Sequence, residues 1–183
     1  LPSNGRRIQL QQAVDAQFVT EIVSDVDCDH CPNKHALKKT PTIISSGKFI
    51  FVHLKRFECH VEHSNHNWFE EQKEDSDIVV NKLQNIVNFS DPLILPFGDQ
   101  HKAYQVIATV NHIGTTPHGG HYTADVYQNN KIWRCNDSSV TERRNFDEKG
   151  AYVLMLEELS AMTAQPYIIK YLSKQKQSPS ESV

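Results

Sequence analysis

The residues best suited to chemistry lie in a hairpin predicted around Asn129-Asn130. Asparagine tolerates the positive φ angles of a two-residue type I′ turn, so the residues on either side of this dipeptide should pair across two strands. In that register His121 and Asn136 share one face of the hairpin, one diagonal step apart. Asp137 would pair with Tyr122 and fall on the opposite face, and a slip of one residue would exchange it with Asn136.

A histidine beside an orienting amide or carboxylate provides two of the three groups of a Cys-His-Asn/Asp catalytic triad. Gly119-Gly120 comes directly before His121, and its low bulk would let a substrate backbone approach closely. The spacing alone favours an ordinary surface hairpin that has one exposed histidine and a hydrogen-bonded Asn-Asp turn, because polar hairpins are common.

Cys28 and Cys31 have the Cys-x-x-Cys spacing of half a tetrahedral zinc site. His30 or His35 could complete it, as could a second cysteine pair that this sequence does not contain. The alternative is two reduced thiols in a polar loop. We therefore predict a possible structural zinc and no cofactor for catalysis.

Cys59 and Cys135 are poor candidates for a nucleophile. Cys135 precedes Asn136, so in the predicted register its side chain faces away from His121. Cys59 lies in an acidic segment that offers nothing to activate its thiol.

The composition excludes several classes of protein. The chain has 183 residues and a formal net charge of −3, so it lacks the overall positive charge typical of nucleic-acid-binding proteins. No apolar run approaches the roughly 18 residues of a membrane span. Four cysteines in a chain of this length do not indicate a disulfide framework, which favours an intracellular protein. Because the sequence begins with Leu1 and not Met, we expect it to be a fragment.

Hydrophobic periodicity predicts an α+β protein whose bulk is an antiparallel sheet. We expect a helix over residues 8–23 and a buried central strand over 49–54, where the chain is almost continuously apolar. Residues 58–77 and 113–120 are predicted to be loops. A frayed tail is predicted from Ser160 onward.

Several segments, taken in order, resemble the ubiquitin-specific proteases, which are papain-like cysteine deubiquitinases. The resemblance covers residues 8–158, and its most specific motifs are the Leu-Lys-Arg-Phe, Gly-Gly-His-Tyr and Trp-x-x-x-Asp-Ser sequences. The matching segments are Ile8-Gln-Leu-Gln-Gln-Ala-Val-Asp15, Cys28-Asp-His-Cys31, Phe51-Val-His-Leu-Lys-Arg-Phe57, Gly119-Gly-His-Tyr-Thr-Ala124, Trp133-Arg-Cys-Asn-Asp-Ser-Ser-Val140 and Ala151-Tyr-Val-Leu-Met155.

The resemblance implies a role for each residue of these motifs. His121 would be the general base that activates a cysteine thiol and later protonates the leaving amine. Asn136 would hold the other ring nitrogen and fix the tautomer, with Asp137 supporting it. Gly120 and Tyr122 would contact the substrate.

The implied fold is the antiparallel palm of the protease with part of its fingers and without the helical thumb. Residues 1–158 would be the C-terminal half of the catalytic domain, and residues 159–183 a flexible extension. The family's nucleophile lies in a Gly-Asn-Thr-Cys-Tyr box, and the 183 residues contain no such sequence.

The resemblance therefore implies part of a deubiquitinase that hydrolyses bonds at the C-terminus of ubiquitin. The alternative is a catalytically inactive ubiquitin-binding scaffold. The expected partners are ubiquitin and ubiquitinated proteins, and neither nucleic acid nor a membrane is expected.

Overall fold

The computed structural model describes residues 7–63 and 76–176, and within them only the backbone of residues 28, 31–33, 61–63 and 76–78. These ranges contain two helices and thirteen strands, which confirms the α+β expectation. The elements in chain order are β1 (Arg7–Gln9), α1 (Leu10–Asp15), β2 (Glu21–Cys28), β3 (Cys31–Lys39), β4 (Phe49–His53), β5 (Phe57–His63), β6 (Ser76–Lys82), β7 (Ile86–Asn88), β8 (Leu93–Phe97), β9 (Gln100–Thr116), β10 (Gly119–Gln128), β11 (Lys131–Asn136), β12 (Ser139–Arg143), β13 (Ala151–Glu158) and α2 (Ala161–Gln175).

The chain divides into two compact units, and the first contains the predicted chemistry. It consists of Leu1–Arg7, Phe51–Val87 and Ile107–Met155. Its main sheet has the strand order β12-β11-β10-β9-β13-β4, and a separate hairpin pairs β5 with β6. The pairs from β12 to β9 are antiparallel, so His121 lies on a strand that is bonded on both sides.

A buried arginine joins distant segments of this first unit. Arg56 is fully buried, and its guanidinium donates to the carbonyl oxygens of Ala151 at 2.5 Å, Asn85 at 2.7 Å and Glu148 at 3.0 Å. A longer bond of 3.4 Å reaches the Leu83 carbonyl. Burial lowers the pKa of Arg56, and the charge of Asp147 opposes that shift. One side chain thus holds the start of β13, the β6–β7 link and the segment before β13.

The second unit consists of Ile8–Ile50, Asn88–Val106 and Leu156–Val183. It contains the β2–β3 hairpin, both helices and the β8–β9 hairpin, in which Leu93 pairs with Tyr104. Ala164 of α2 packs on Ile94 and Ala103.

The frayed tail predicted from Ser160 is wrong over Ala161–Gln175, which form α2. Ser160 caps this helix by accepting from the backbone N–H of Thr163. Ala164, Ile168 and Tyr171 recur at helical spacing and provide its buried stripe. The Tyr171 hydroxyl also donates to Asp15, and burial, the Asp15 charge and this bond raise the pKa of Tyr171 to about 12.

The predicted helix over residues 8–23 is correct only for Leu10–Asp15. The chain turns after α1 and continues as β2, where β-branched residues favour an extended backbone. The strand predicted over 49–54 forms as β4, but at an edge of the sheet and not at its centre. Phe51 is 69% exposed, because the run is apolar on both faces while only one of them is covered.

The described parts of both predicted loops are largely strand. Residues 58–63 and 76–77 belong to the β5–β6 hairpin, which pairs Phe57 with Lys82, and residues 64–75 lie outside the described ranges. Residues 113–116 continue β9, and β10 begins at Gly119. Within residues 7–63 and 76–176, no helix is long and apolar enough to cross a membrane.

Arg56→Met should lower the free energy of unfolding by about 3 kcal/mol or more, because several buried carbonyls lose a charged donor. Urea denaturation followed by circular dichroism measures the change. Lys55→Met is the matched control, since Lys55 is the exposed neighbour and its substitution should shift stability by less than about 0.5 kcal/mol. Equal effects of the two substitutions would contradict the role given to Arg56.

Candidate active site

The β10–β11 hairpin has the register predicted from its turn. Gln128 pairs with Lys131, and the ladder continues to Ala124 and Cys135. Asn129 and Asn130 have φ angles of 53° and 59°, as a type I′ turn requires. This part of the sequence prediction is confirmed.

His121 and Asn136 are in direct contact at the open end of this hairpin. The distance between His121 Nε2 and Asn136 Oδ1 is 2.5 Å. An amide oxygen can only accept, so Nε2 must carry the hydrogen, and Nδ1 is then the ring nitrogen that can take up a proton. The asparagine therefore selects the tautomer of a potential general base.

Asp137 is not placed as predicted. It follows the last residue of β11 and lies in the turn to β12 with a φ of 48°, so it does not pair with Tyr122. The chain reverses directly after β11, and Asn136 pairs with Ser139 of β12 on the other side of the strand. Asp137 is exposed, and its role remains a prediction.

A β-bulge directly precedes His121. The β9–β10 register shifts between Gly119 and His121, and Gly120 has a φ of 156°. A Cβ on Gly120 would overlap Nε2 of His112 and lie 2.6 Å from the Ile113 carbonyl oxygen. The space on the Cβ side of Gly120 is therefore filled by the protein's own imidazole. Bulges of this kind re-aim the side chain that follows them.

Lys82 holds His112 in place from β6. Its ammonium nitrogen lies 3.0 Å from His112 Nδ1, 2.7 Å from the His112 carbonyl and 2.9 Å from the Gly114 carbonyl. These three acceptors match the three hydrogens of an ammonium group. Since ammonium only donates, His112 must accept at Nδ1 and be neutral. Burial and then the Lys82 charge lower the pKa of His112, against an opposing effect of the Gly119 carbonyl.

Tyr122 points to the face of the sheet opposite His121. It pairs with His112, and their ring centroids are 4.9 Å apart. Tyr152 and Phe57 complete this aromatic cluster, while Tyr122 remains 51% exposed. The predicted substrate contacts of Tyr122 and Gly120 remain predictions.

The free thiols of Cys59 and Cys135 are not placed to react with His121. Cys135 pairs with Ala124, so its side chain leaves the sheet on the face opposite Asn136. Cys59 is exposed on β5.

The zinc prediction gains no support from the described side chains. Cys28 and Cys31 are paired backbone positions at the end of the β2–β3 hairpin, which is compatible with two neighbouring ligands. Where side chains are described, however, no group of three or more His, Cys, Asp or Glu residues could hold a metal ion. A tetrahedral site needs four ligands.

The sequence analysis missed a second group of buried polar residues beside the hairpin. Asp125 is fully buried and makes two hydrogen bonds with Arg134, its partner across β10 and β11. The signal was present, because the register predicted from Asn129-Asn130 already sets these opposite charges against each other. Nothing in the sequence pattern pointed to the contact of Lys82 with His112, which are 30 residues apart.

Cysteine hydrolases hold the base in this way, with one ring nitrogen of a histidine bonded to an asparagine or a carboxylate. Comparison with known families agrees: the family model described as ubiquitin carboxyl-terminal hydrolase matches residues 5–156, and the chain belongs to this family.

Known relatives are much longer than this chain. Ubiquitin carboxyl-terminal hydrolase cyk-3 of Caenorhabditis elegans is 33% identical over 141 residues, which are 72% of this chain and 10% of that protein. Ubiquitin carboxyl-terminal hydrolase 46 of the same organism is 30% identical over 77% of this chain and 29% of its own length. The chain thus spans less than a third of either relative.

Among solved structures, Ubp8 in the SAGA DUB module bound to monoubiquitin has the same fold. The TM-score is 0.62 at 20% identity, over 85% of this chain and 35% of that one. The palm-like α+β fold implied by the sequence resemblance is confirmed.

Gly120→Ala should destabilise the protein by about 1–3 kcal/mol or more, because the new methyl group overlaps His112 and forces a strained φ. Gly119→Ala is the matched control, since its Cβ would meet nothing closer than Thr116 Oγ1 at 3.8 Å. Thermal unfolding of both variants measures the difference. A Gly120→Ala protein as stable as Gly119→Ala would show that His112 does not occupy this position.

Proposed function

We propose that this chain supplies the general base and its orienting residue to a cysteine-type deubiquitinase. The observation that carries the proposal is the hydrogen bond between His121 Nε2 and Asn136 Oδ1, which leaves Nδ1 as the basic nitrogen. Membership of the ubiquitin carboxyl-terminal hydrolase family supports the reaction class, and the ubiquitin-bound state of Ubp8 supports ubiquitin as the ligand.

In the proposed mechanism His121 Nδ1 accepts the proton of a cysteine thiol, and the thiolate attacks the carbonyl carbon at the C-terminus of ubiquitin. The imidazolium then gives this proton to the leaving amine, which is the lysine amine of an isopeptide bond or a backbone amine. A water molecule, deprotonated by the same nitrogen, hydrolyses the resulting thioester and regenerates the thiol. Asn136 accepts from Nε2 throughout and keeps the ring in one orientation.

The nucleophile of this mechanism is not among the residues described. The sequence has no Gly-Asn-Thr-Cys-Tyr box, and Cys59 and Cys135 are not positioned for the task. We therefore propose that the thiol belongs to a further part of the enzyme and meets His121 from outside these residues.

The 183-residue chain should not hydrolyse a fluorogenic amide of the ubiquitin C-terminus, because His121 has no thiol to deprotonate. The assay compares the purified chain with buffer and with the product of the whole gene. Turnover by the chain that Cys59→Ser or Cys135→Ser removes would contradict the assignment. An inactive product of the whole gene that still binds ubiquitin would favour the alternative of a non-catalytic scaffold.

In the complete enzyme, His121→Ala should abolish turnover. Asn136→Ala should lower kcat by about 10- to 100-fold and leave KM nearly unchanged, because a hydrogen bond to a charged ring is worth about 1.5–3 kcal/mol. Asp137→Ala should have the smaller effect, since Asp137 lies in the turn and not beside the imidazole. Steady-state kinetics of the three variants test this order. If Asp137→Ala loses most of its turnover while Asn136→Ala is nearly as active as the wild type, the roles assigned to Asp137 and Asn136 would have to be exchanged.

A further inference from the structure

We propose that the buried ion pair of Asp125 and Arg134 positions Asn136 against His121. The inference rests on the proposed function of His121 and Asn136, and it assigns two positioning residues that touch neither the substrate nor the reacting atoms.

The ion pair joins the two strands that carry the base and its orienting amide. Asp125 on β10 and Arg134 on β11 are direct partners in the hairpin. Arg134 Nε lies 2.7 Å from Asp125 Oδ1, and Arg134 Nη2 lies 2.8 Å from Asp125 Oδ2. Two parallel bonds from a planar guanidinium fix both the distance and the angle between the groups that they join.

The same carboxylate also holds two other parts of the unit. Asn111 Nδ2 on β9 donates to Asp125 Oδ2 at 3.0 Å, and the backbone N–H of Asp147 donates to the same oxygen at 3.1 Å. Thr109 in turn donates to Asn111 Oδ1 at 3.0 Å. Asp125 therefore ties together β9, β10, β11 and the segment before β13.

Asp125 is ionised at neutral pH although it is fully buried. Burial by itself raises the pKa of this carboxyl, but the bonds and charge of Arg134, the Asp147 amide and Asn111 outweigh it and hold the pKa below its ordinary value. The bond to Asp125 raises the pKa of Arg134 correspondingly, so both partners keep their charges.

The ion pair lies on the same face of the sheet as the base. His121, Thr123 and Asp125 alternate along one face of β10, and Arg134 and Asn136 do so along β11. Asn136 is two residues from Arg134, or roughly 7 Å along the strand. Thr123 lies between the two pairs on β10 and is buried.

The contact between His121 and Asn136 depends on the spacing of these strands. The β10–β11 ladder runs from Gln128 and Lys131 to Ala124 and Cys135, so it ends one residue before Asn136. One partly exposed hydrogen bond contributes only about 0.5–1.5 kcal/mol and cannot set the separation of two strands. A buried ion pair that is joined by two hydrogen bonds and lies beside the end of the ladder can set this separation.

Stability alone does not account for the charges. Apolar residues of similar volume often stabilise a fold as well as a buried ion pair does, or better. What the charged pair adds is a fixed geometry. Further along this face, among the described residues, the hydrogen bond between the side chains of β10 and β11 is that of His121 with Asn136.

The first test uses nuclear magnetic resonance on the 183-residue chain and needs no activity. In the wild type, nuclear Overhauser effects should connect the His121 ring with the Asn136 side-chain amide. Asp125→Leu/Arg134→Met replaces the ion pair by apolar side chains and should weaken these effects at least two-fold while the chain stays folded. Unchanged effects in the folded double variant would overturn the proposal.

Lys131→Gln/Glu142→Gln is the matched control. It removes an exposed ion pair of 2.7 Å between β11 and β12 and should leave the contacts of His121 unchanged. If the apolar variant fails to fold, Arg134→Lys provides the same readout. It keeps the charge but loses the paired geometry, so the His121–Asn136 effects should weaken here too, and their full retention would overturn the proposal.

The second test is a double-mutant cycle in the complete enzyme. Asp125→Leu/Arg134→Met should lower kcat about 10-fold or more with little change in KM, and should have no further effect when Asn136 is already alanine. If the kcat reductions of the ion-pair variant and of Asn136→Ala multiply in the combined variant, the ion pair acts independently of Asn136. That result would overturn the inference. If His121→Ala keeps its turnover, the proposed function fails, whereas the nuclear magnetic resonance result on strand geometry is unaffected.

Discussion

The guanidinium of Arg56 is the contact on which the site-bearing unit depends most. A buried arginine must give its hydrogens to acceptors inside the protein, because the cost of leaving them unpaired is larger than for any neutral group. Here the acceptors are backbone carbonyls of Leu83, Asn85, Glu148 and Ala151. Carbonyl acceptors fix the path of the main chain, so segments up to 95 residues apart are brought to one point.

The position that Arg56 gives to Ala151 constrains the candidate active site through the strands of the sheet. Ala151 begins β13, which lies beside β9, and β9 in turn pairs with β10. The backbone N–H of His112 also donates to the Gly150 carbonyl at 2.9 Å, next to the residue that Arg56 holds. His121 is therefore fixed through neighbouring strands and not through its own contacts alone.

Two groups of polar residues, each with one buried member, then act on opposite faces of β9 and β10. Lys82 and His112 lie beneath the bulge at Gly120 and leave no room for a side chain there. Asp125 and Arg134 lie on the face of His121 itself. In each group, charged donors meet several acceptors at hydrogen-bond distance, and such bonds restrict geometry more than apolar packing does.

Sequence patterns predicted the features that local turn and pairing rules determine. They missed the contacts between residues that are far apart in the sequence. The Asn129-Asn130 turn determined the register, and with it the shared face of His121 and Asn136. The register also contained the Asp125–Arg134 pair, which went unnoticed because single charges in a strand are usually exposed. Arg56 and Lys82 could not be predicted, since their acceptors are backbone atoms that only the folded chain brings together. The helix α2 was missed because a polar composition concealed a narrow apolar stripe.

Under the proposed function, this chain supplies the geometry of a cysteine hydrolase's base, and another part of the enzyme supplies the reactive thiol. An imidazole is useful as a base only if the correct nitrogen is free and points to the thiol. Asn136 selects the nitrogen, the bulge at Gly120 sets where the histidine leaves the strand, and the Asp125–Arg134 pair determines how far Asn136 lies from it. An asparagine is a weaker partner for an imidazolium than a carboxylate is, so accurate placement matters more for it than for an aspartate. That requirement gives a physical reason for keeping a buried ion pair beside an amide that is itself exposed.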